Sequence, residues 1–395
     1  MPPSPFAAHW PLDPAVLHLN HGSFGACPRA ILAHQRALAD ELEREPTDFL
    51  VRRLPARLEA ARAAVGAFVG ARAEDLAFVT NATSGVNAVV RSLDLAPGDE
   101  LLTTDHAYGG CRQALEYAAR RSGARVVVAS LPFPVGEPGE LVEPILAAAT
   151  PRTRLALIDH VTSPTALVLP VERLVPALRE RGVETLVDGA HALGMLPLDL
   201  DRLGAGFYTA NAHKWLCAPR GAAILHVRRD LQGLVHPLTI SHGYEPQAAG
   251  PRFRQEWDWT GTLDPTAWLA IPECIRFLGA LLPGGWGELR ARNHALAVVA
   301  RARLAGALGV APPCPEELVG AMASLPLPAP RPGAPAARID ADRLTDWTRA
   351  RGVESWFGAW PAASSTLVRA SAQLYNDEEQ YGRLAELLVE ALGGG

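Results

Sequence analysis

The stretch YTANAHKWLCAP, residues 208–219, places one lysine, Lys214, among small and apolar residues. A lysine held among apolar groups has a lowered pKa, because desolvation disfavours its charged form. Its neutral amine is then nucleophilic enough to form a Schiff base with an aldehyde. From this stretch alone, an exposed lysine whose apolar stem packs on the surface remains the alternative.

Asp188 ends the hydrophobic run of LVDGAHALG, residues 186–194. A carboxylate at the end of a buried strand needs a partner, and a protonated pyridine nitrogen could supply one. That pairing would turn the ring into an electron sink. His191, three residues further on, could reach a ring oxygen. An aspartate that caps a helix is the alternative.

Two other predicted strand ends carry side chains that suit a flat, phosphorylated ligand. In FVTNATSGVNAVV, residues 78–90, Thr83 and Ser84 lie where a helix begins, and the free backbone N–H groups there favour a phosphate. In TTDHAYGG, residues 103–110, His106 follows a strand end, and its imidazole could stack on a flat ring. Helix capping by the two hydroxyls and a plain hydrogen bond from the histidine remain open.

The elements that must position these residues alternate between about residues 76 and 227. Short apolar runs predict strands, and the amphipathic segments between several of them predict helices. This alternation predicts a mostly parallel sheet covered by helices, with ligands at the carboxyl edge of the sheet. The predicted strands are DLAFVTN, DELLTTD, ARVVVAS, TRLALIDHV, VETLVDG, GAGFYTAN and GAAILHV, and the predicted helices are SGVNAVVRSL, GCRQALEYAARR, ELVEPILAAAT and VERLVPALRERG.

The C-terminal third of the sequence predicts a second, smaller unit. DPTAWLAIPECIRFLGAL, residues 264–281, predicts a long helix that leads out of the sheet region, and the residues that follow predict a small α+β domain. The predicted organisation is an N-terminal arm (1–18), a large domain (19–265), a long connecting helix (266–300) and a small C-terminal domain (301–395).

Composition excludes several classes of protein. The 395-residue chain is 48% hydrophobic and 20% charged, as expected of a globular protein, and its net charge of −5 gives no reason to expect a nucleic acid or an acidic membrane surface as partner. No apolar run reaches the ~18 residues of a membrane helix, and the start MPPSPFAAHWPLD lacks the pattern of a signal peptide. Five cysteines without a CxxC pair predict a cytoplasmic protein with reduced thiols.

The order of the motifs resembles that of the class V aminotransferase family, whose members are fold type I enzymes that use pyridoxal 5′-phosphate. A phosphate turn, a histidine, Asp-x-x-His and His-Lys follow one another, and the resemblance covers nearly the whole chain. It implies a Schiff base on Lys214, with Asp188 at the pyridinium nitrogen. It further implies His191 near the ring oxygen and His106 stacked on the ring. The implied phosphate ligands are Ala82, Thr83, Asn211 and His213.

Two further segments carry the same resemblance. DWTGTLDPTAW, residues 258–268, resembles the family's Gly-Thr loop, which implies that Thr262 reaches the phosphate across the interface of a homodimer. VRASAQLYN, residues 368–376, resembles the strand whose arginine, here Arg369, would bind the carboxylate of an amino-acid substrate as a bidentate pair.

The sequence departs from the family's pattern at two places. Ser163, in HVTSPTA, stands where the family usually has an asparagine beside the ring oxygen, and a serine can still donate one hydrogen bond there. RGVESWFGAW, residues 351–360, lacks the mobile cysteine that desulfurases carry upstream of the carboxylate-binding arginine. A persulfide-forming desulfurase is therefore not expected.

Two N-terminal segments, LNHGSFGACPRAILA and REPTDFLVRRLPARL, resemble the isopenicillin N epimerase-like branch of the family. By this resemblance the turn formed by Asn20, His21 and Gly22 lies over the cofactor and touches the substrate carboxylate. The family's reactions begin with removal of the Cα proton by Lys214, which gives a quinonoid.

The next step of the reaction divides the hypotheses. Reprotonation on the opposite face gives an epimerase or racemase, which is the preferred prediction. Loss of a sulfur leaving group gives a C–S lyase of the hercynylcysteine sulfoxide lyase type, and protonation at the aldehyde carbon gives an aminotransferase. An epimerase needs a proton donor on the second face, and the candidates are Tyr108, His242 and Tyr244. The non-enzymatic alternative is a regulator that binds pyridoxal phosphate.

Overall fold

The computed structural model describes residues 4–245, 251–329, 340–362 and 365–393. Their strands are β1 (Leu17–His18), β2 (Leu76–Val79), β3 (Glu100–Thr104), β4 (Arg125–Ala129), β5 (Thr153–Asp159), β6 (Glu184–Asp188), β7 (Phe207–Asn211), β8 (Ala223–Val227), β9 (Met322–Pro326), β10 (Val353–Glu354), β11 (Trp356–Ala359) and β12 (Thr366–Ser371). Their helices are α1 (His21–Phe24), α2 (Arg29–Arg44), α3 (Leu54–Val69), α4 (Ala82–Ser92), α5 (Gly109–Ser122), α6 (Gly139–Ala148), α7 (Val171–Arg179), α8 (Leu200–Leu203), α9 (Arg252–Asp258), α10 (Thr266–Leu269), α11 (Ile271–Gly279), α12 (Gly285–Leu308), α13 (Ala341–Arg349) and α14 (Glu378–Ala391).

A seven-stranded sheet in the order β2-β8-β7-β6-β5-β3-β4 forms the centre of the large domain. Four of its neighbouring pairs are parallel, and only β8 runs against the other strands. Each apolar run that predicted a strand between residues 76 and 227 contains one of these strands, so the prediction of a mostly parallel seven-stranded sheet between helices is confirmed.

The sheet is buried because helices cover both of its faces. One core cluster includes Leu58, Ile158 and Trp215, and a second includes Val86 and Phe207. Strands covered on both sides read as nearly continuous apolar runs, and this is why β5, β6 and β7 are buried along almost all of their length. The polar residues that end these strands therefore lie at one edge of a rigid apolar platform.

A separate three-stranded antiparallel sheet, β11-β12-β9, forms the small C-terminal unit together with α12 and α14. Its core cluster includes Leu304, Val368 and Leu388. The N-terminal segment joins this unit, because β1 pairs in parallel with β10 through the partners Leu17↔Val353 and His18↔Glu354. The residues just after β1 thereby reach the space between the large and small sheets.

The helix predicted over residues 264–281 differs from the one observed. It is split into α10 and α11, because Pro272 has no N–H to donate to a preceding carbonyl and its ring crowds the turn before it. A turn at Gly284 then leads into α12, the long helix of this region, whose first residue Gly285 has a φ of 61°. In the part of the chain that is described, no helix has the length and apolar character that a membrane span requires.

Candidate active site

A cavity of about 420 Å³ lies at the carboxyl edge of the large sheet, facing the small domain. Asp159, Asp188 and Asn211, which are the last residues of β5, β6 and β7, form part of its wall. The N-terminal turn supplies Asn20 and Gly22 to the same wall. Residues far apart in the sequence meet here because parallel strands end at the same edge of a sheet.

Lys214, the only lysine of the chain, projects into this cavity from the turn after β7. Its Nζ lies 3.1 Å from Nε2 of His191, and it forms no ion pair with a carboxylate of the described residues. Burial, assisted by the positive charge of Arg369, lowers the pKa of Lys214 to about 8. About one-tenth of this amine is therefore neutral at pH 7, far more than for an ordinary lysine, and the neutral form is the one that acts as a nucleophile or a base.

Asp188 is buried at the end of β6 with two hydrogen-bond donors on its carboxylate. The backbone N–H of Ala190 donates to Oδ1 over 2.9 Å, and the thiol of Cys111 donates to Oδ2 over 3.1 Å. Burial raises the pKa of Asp188 above its ordinary value, because the charged form is poorly solvated. A cationic N–H placed in the cavity would stabilise this carboxylate as an anion.

His191 lies between Lys214 and the interior of the large domain. Its Nδ1 accepts a hydrogen bond from Nε1 of Trp215 over 3.3 Å, while its Nε2 faces the lysine amine. Burial and the neighbouring lysine hold the pKa of His191 well below its ordinary value. The ring is therefore neutral.

The start of α4 borders the cavity and offers donors for an anion. The N-cap Asn81 accepts from the N–H of Ser84 through its side chain, and Asn211 Oδ1 accepts from the N–H of Ala82 over 2.8 Å. Within the described residues, the buried Nδ1 of His213 has no hydrogen-bond partner. This orphaned atom, beside the backbone N–H groups of the first turn of α4, suits a phosphate.

Arg369 enters the cavity from β12 of the small domain and is almost completely buried. Its Nη1 donates to the carbonyl oxygen of Ser163 over 2.5 Å, its Nη2 donates to Oγ of Ser23 over 3.1 Å, and the guanidinium packs over the ring of Trp356 at 4.8 Å. Burial lowers its pKa to about 10, so it stays cationic. No carboxylate of the described residues pairs with it, and a ligand carboxylate would supply the missing charge.

The N-terminal turn approaches the small domain closely at Gly22. A Cβ added to Gly22 would lie 2.6 Å from the sulfur of Met322 and 3.1 Å from Oγ of Ser371, which already accepts from the Gly22 N–H. Asn20 accepts a hydrogen bond from the hydroxyl of Ser23 over 2.6 Å. The turn is thus fixed against the small domain, and its position in the cavity wall agrees with the expected placement of Asn20 and Gly22.

His106 is not brought to the cavity, contrary to the expected stacking position. Its ring is fully buried, with Nδ1 2.7 Å from Oγ1 of Thr165 and Nε2 3.4 Å from the carbonyl oxygen of Leu131. Trp360 packs edge-on against it at 4.4 Å. Both nitrogens are satisfied in the protein interior, and Tyr108, two residues further on, lines the cavity instead.

His21 also lies behind the cavity rather than in its wall. It is fully buried, with Nδ1 2.9 Å from the hydroxyl of Tyr375 and Nε2 3.0 Å from the carbonyl oxygen of Lys214. Its neighbours are therefore the backbone of the lysine turn and the small domain, not a position open to substrate. Burial lowers the pKa of His21 to about 3, so it is neutral.

Three other predicted residues lie elsewhere in the single chain. Thr262 borders a different hollow, together with Leu42 and Asp264. His242 is exposed beside Glu245, and Tyr244 is exposed with its ring against a guanidinium. Of the three candidate proton donors, only Tyr108 lines the cavity among the described residues.

Ser163 lines the cavity, but its observed contacts differ from the expected one. Both its carbonyl oxygen and its hydroxyl, at 3.3 Å, accept from Nη1 of Arg369. The loop after β5 thus helps to hold the guanidinium of the small domain in place.

Asp159 and Cys111 are parts of the site that the sequence motifs did not identify. Asp159 ends the apolar run LALID just as Asp188 ends LVD, so the same strand-end argument would have found it. No sequence signal marks Cys111, because its contact with Asp188 depends on how α5 packs on the sheet.

The chain is similar in sequence to a known enzyme family and to several of its members. A family model described as "Aminotransferase class-V" matches residues 47–316. The chain is 40% identical to an isopenicillin N epimerase of Amycolatopsis lactamdurans over 96% of both chains. It is 32% identical to a putative L-cysteine desulfhydrase of Oryza sativa, over 97% of this chain and 84% of the relative. It is also 26% identical to a hercynylcysteine sulfoxide lyase of Schizosaccharomyces pombe, over 79% and 81% of the two chains.

Solved structures show the same fold at low sequence identity. A cysteine desulfurase from Thermococcus onnurineus superimposes with a TM-score of 0.80 at 19% identity, covering 100% of this chain and 99% of the other. A cystine C–S lyase superimposes with a TM-score of 0.77 at 21% identity, covering 95% and 97% of the two chains.

Proposed function

Because the chain belongs to the class V aminotransferase family and is therefore a pyridoxal-phosphate enzyme, we propose that it removes the Cα proton of an amino acid and returns a proton to the opposite face. The substrate class is an amino acid or a molecule that carries an amino-acid group, as isopenicillin N does. The observation that carries the proposal is the full-length similarity to isopenicillin N epimerases, joined to a cavity that holds one lysine and one unpaired arginine.

The residues of the cavity fit the cofactor. We assign Lys214 to its aldehyde, Asp188 to its ring nitrogen, and the N–H of Thr83 with Nδ1 of His213 to its phosphate. Bound there, pyridoxal phosphate supplies a ring that stabilises negative charge at the Cα of an attached amino acid. Asn211 orients the start of α4 through its bond to Ala82 and so supports the phosphate donors.

In this assignment Arg369 binds the substrate carboxylate and Lys214 acts as the base. The guanidinium is already oriented by Ser163 and Ser23, so little conformational freedom is lost when a carboxylate binds. With a pKa of about 8, the Nζ of Lys214 can take up the Cα proton near neutral pH. His191, held neutral by burial and accepting from Trp215 at Nδ1, carries its proton at Nε2 and can donate it towards the Nζ of Lys214, 3.1 Å away.

For the second face we propose Tyr108 as the proton donor. It is the one candidate that lines the cavity, and its phenol is half-exposed on the turn that precedes α5. The exposed side of this ring can exchange its proton with solvent after each turnover. Donation of that proton to the Cα would complete an inversion of configuration.

A C–S lyase is the second candidate, and the relatives named as L-cysteine desulfhydrases and as a hercynylcysteine sulfoxide lyase favour it. It would use the same Cα deprotonation but lose a sulfur leaving group instead of inverting. The two candidates share Lys214, Asp188 and Arg369, so the residues assigned above do not separate them.

We also propose that the active unit is a homodimer. Thr262 lies outside the cavity of the single chain, which agrees with a role for it in the site of a second copy. In that arrangement its hydroxyl would bind the phosphate of the neighbouring site, so the cofactor and the dimer would stabilise each other.

One experiment separates the reactions. The purified holoenzyme is incubated in D₂O with isopenicillin N and, separately, with L-cysteine, and Lys214→Ala serves as the control. Deuterium at the Cα together with inverted configuration supports the epimerase. Formation of ammonia, sulfide and a keto acid from L-cysteine would refute the epimerase proposal in favour of a lyase. Conversion of the cofactor to its pyridoxamine form would refute it in favour of an aminotransferase.

A further inference from the structure

Two carboxyl groups meet at the ring-nitrogen end of the cavity, although the proposed function uses only one. Asp159 and Asp188 are the last residues of the adjacent parallel strands β5 and β6, and they are direct partners in the register of the sheet. Each is 3% exposed, and both line the cavity. Side chains at partner positions of parallel strands project from the same face of the sheet.

Among the described residues, no cation near Asp159 forms an ion pair that would neutralise a second negative charge beside Asp188. The charge of Lys214 only weakly offsets the burial that raises the pKa of Asp159. The other titratable groups that face the pair are the thiol of Cys111 and the phenol of Tyr208, whose pKa values are both raised by burial. These two groups are therefore neutral and add no positive charge.

We propose that the two carboxyl groups share a single proton, that Asp159 carries it, and that Asp159 is thereby a positioning residue for the cofactor site. Asp188 is the better anion, because the N–H of Ala190 and the thiol of Cys111 already donate to it. Asp159 instead faces backbone N–H groups, those of Tyr108 and of Asp159 itself, from which the carbonyl oxygen of a neutral acid can still accept.

This proton arrangement satisfies both groups without another ion. The neutral acid at Asp159 has one O–H to donate towards the anion at Asp188, and its carbonyl oxygen can accept from the nearby backbone N–H of Tyr108. Only one negative charge then remains for a ring nitrogen to neutralise. The shift of the Asp159 pKa supports a proton on this residue. Burial, and after it the charge of Asp188, raises the pKa of Asp159 well above its ordinary value.

Infrared spectroscopy can test where the proton lies. Holoenzyme at neutral pH is compared with Asp159→Asn and with the control Asp105→Asn, which alters a partly exposed aspartate that follows the neighbouring strand β3. We expect a carbonyl stretching band of a protonated carboxylic acid in the wild type and in the control, and its loss in Asp159→Asn. Absence of the band from the wild type, or its survival in Asp159→Asn, would overturn the proposal.

A second pair of variants tests the positioning role. Asparagine imitates a protonated aspartic acid in shape and in its hydrogen bonds, whereas alanine removes both the carbonyl that can accept from the Tyr108 N–H and the O–H proposed to reach Asp188. Asp159→Asn should therefore keep the dissociation constant for pyridoxal phosphate within about twofold of the wild type, and Asp159→Ala should raise it by about tenfold, the ratio expected for one lost hydrogen bond. Equal losses in the two variants would mean that an ionised Asp159 is needed, and would contradict the inference.

These measurements do not depend on the reaction type. The infrared band and the cofactor dissociation constant are read without a substrate, so an error in the epimerase proposal leaves the outcome for Asp159 intact. Circular dichroism of each variant before the measurement distinguishes a misfolded protein from a repositioned site.

Discussion

Replacing Arg369 by methionine should weaken the binding of amino acids without lowering the stability of the folded protein. Methionine keeps an unbranched apolar side chain against Trp356 but removes the guanidinium that we assign to the substrate carboxylate. Two charge-assisted hydrogen bonds to a carboxylate are worth about 3 kcal/mol together after desolvation, which corresponds to a roughly hundredfold weaker binding. For the reaction itself, KM should rise with little change in kcat, because the interaction is already made in the ground state.

The assay compares two ligands that differ only in the carboxylate. L-alanine and ethylamine are titrated into the holoenzyme, and binding is followed by the absorption spectrum of the bound cofactor. The wild type should prefer L-alanine by roughly the same hundredfold factor, and Arg369→Met should bind both ligands with nearly equal affinity. If the substitution weakened the two ligands to the same extent, or neither of them, Arg369 would not be the carboxylate anchor.

Stability supplies an internal control, because the chain contains a second buried arginine with the opposite environment. Arg62 donates to both oxygens of Asp258, over 2.5 and 3.0 Å, whereas Arg369 has no carboxylate partner. Arg62→Met removes the bidentate partner of Asp258, which among the described residues keeps only a longer contact of 3.9 Å with Arg254, and should cost about 2 kcal/mol of unfolding free energy. Arg369→Met removes an unpaired buried charge, and the unfolding free energy should stay within about 1 kcal/mol of the wild type. Denaturant titration of both variants checks this contrast.

Three further predictions concern other parts of the molecule. Borohydride reduction of the holoenzyme should add the cofactor mass to the peptide that contains Lys214, and Lys214→Ala should show no such adduct, since the chain has no other lysine. Thr262→Ala should raise the dissociation constant for the cofactor several-fold, by about 1 kcal/mol, and shift the monomer–dimer equilibrium in sedimentation runs; an active monomer with normal cofactor affinity would contradict the assignment. Glu100→Gln should destabilise the protein most above pH 4.5. Burial raises the pKa of Glu100, but hydrogen bonds from Thr150 and Arg125 lower it to about 2, so its contribution is lost as the pH falls from the ordinary 4.5 towards 2.

The sheet and most of the cavity wall could be predicted because they depend on local patterns. Asp188 and Asn211 were expected at the site because each ends an apolar run, and the structure does bring both strand ends to one edge. The lysine turn follows the same rule, since it begins directly after β7. Because each strand is buried on both faces, it forms a continuous apolar run in the sequence, and the polar residue that ends the run can be recognised.

Contacts between distant segments could not be predicted in the same way. His106 and Tyr108 are two residues apart on one turn, yet only Tyr108 lines the cavity, because the histidine finds two hydrogen-bond partners in the interior. His21 is drawn behind the cavity by Tyr375 and by the carbonyl oxygen of Lys214, partners that lie hundreds of residues away. Side-chain direction within a turn is decided by such tertiary partners, about which local spacing carries no information.

The distribution of charge in the cavity makes the substrate part of the contact between the two domains. The large domain supplies Lys214 and Asp188, and the small domain supplies Arg369, which reaches across to the carbonyl oxygen of Ser163. A substrate bound through its amine to the cofactor and through its carboxylate to Arg369 would connect the two sheets a second time. Because the guanidinium has no other anion among the described residues, only a molecule that carries both groups can satisfy both halves of the site. We therefore expect this geometry to select amino acids over simple amines at the binding step.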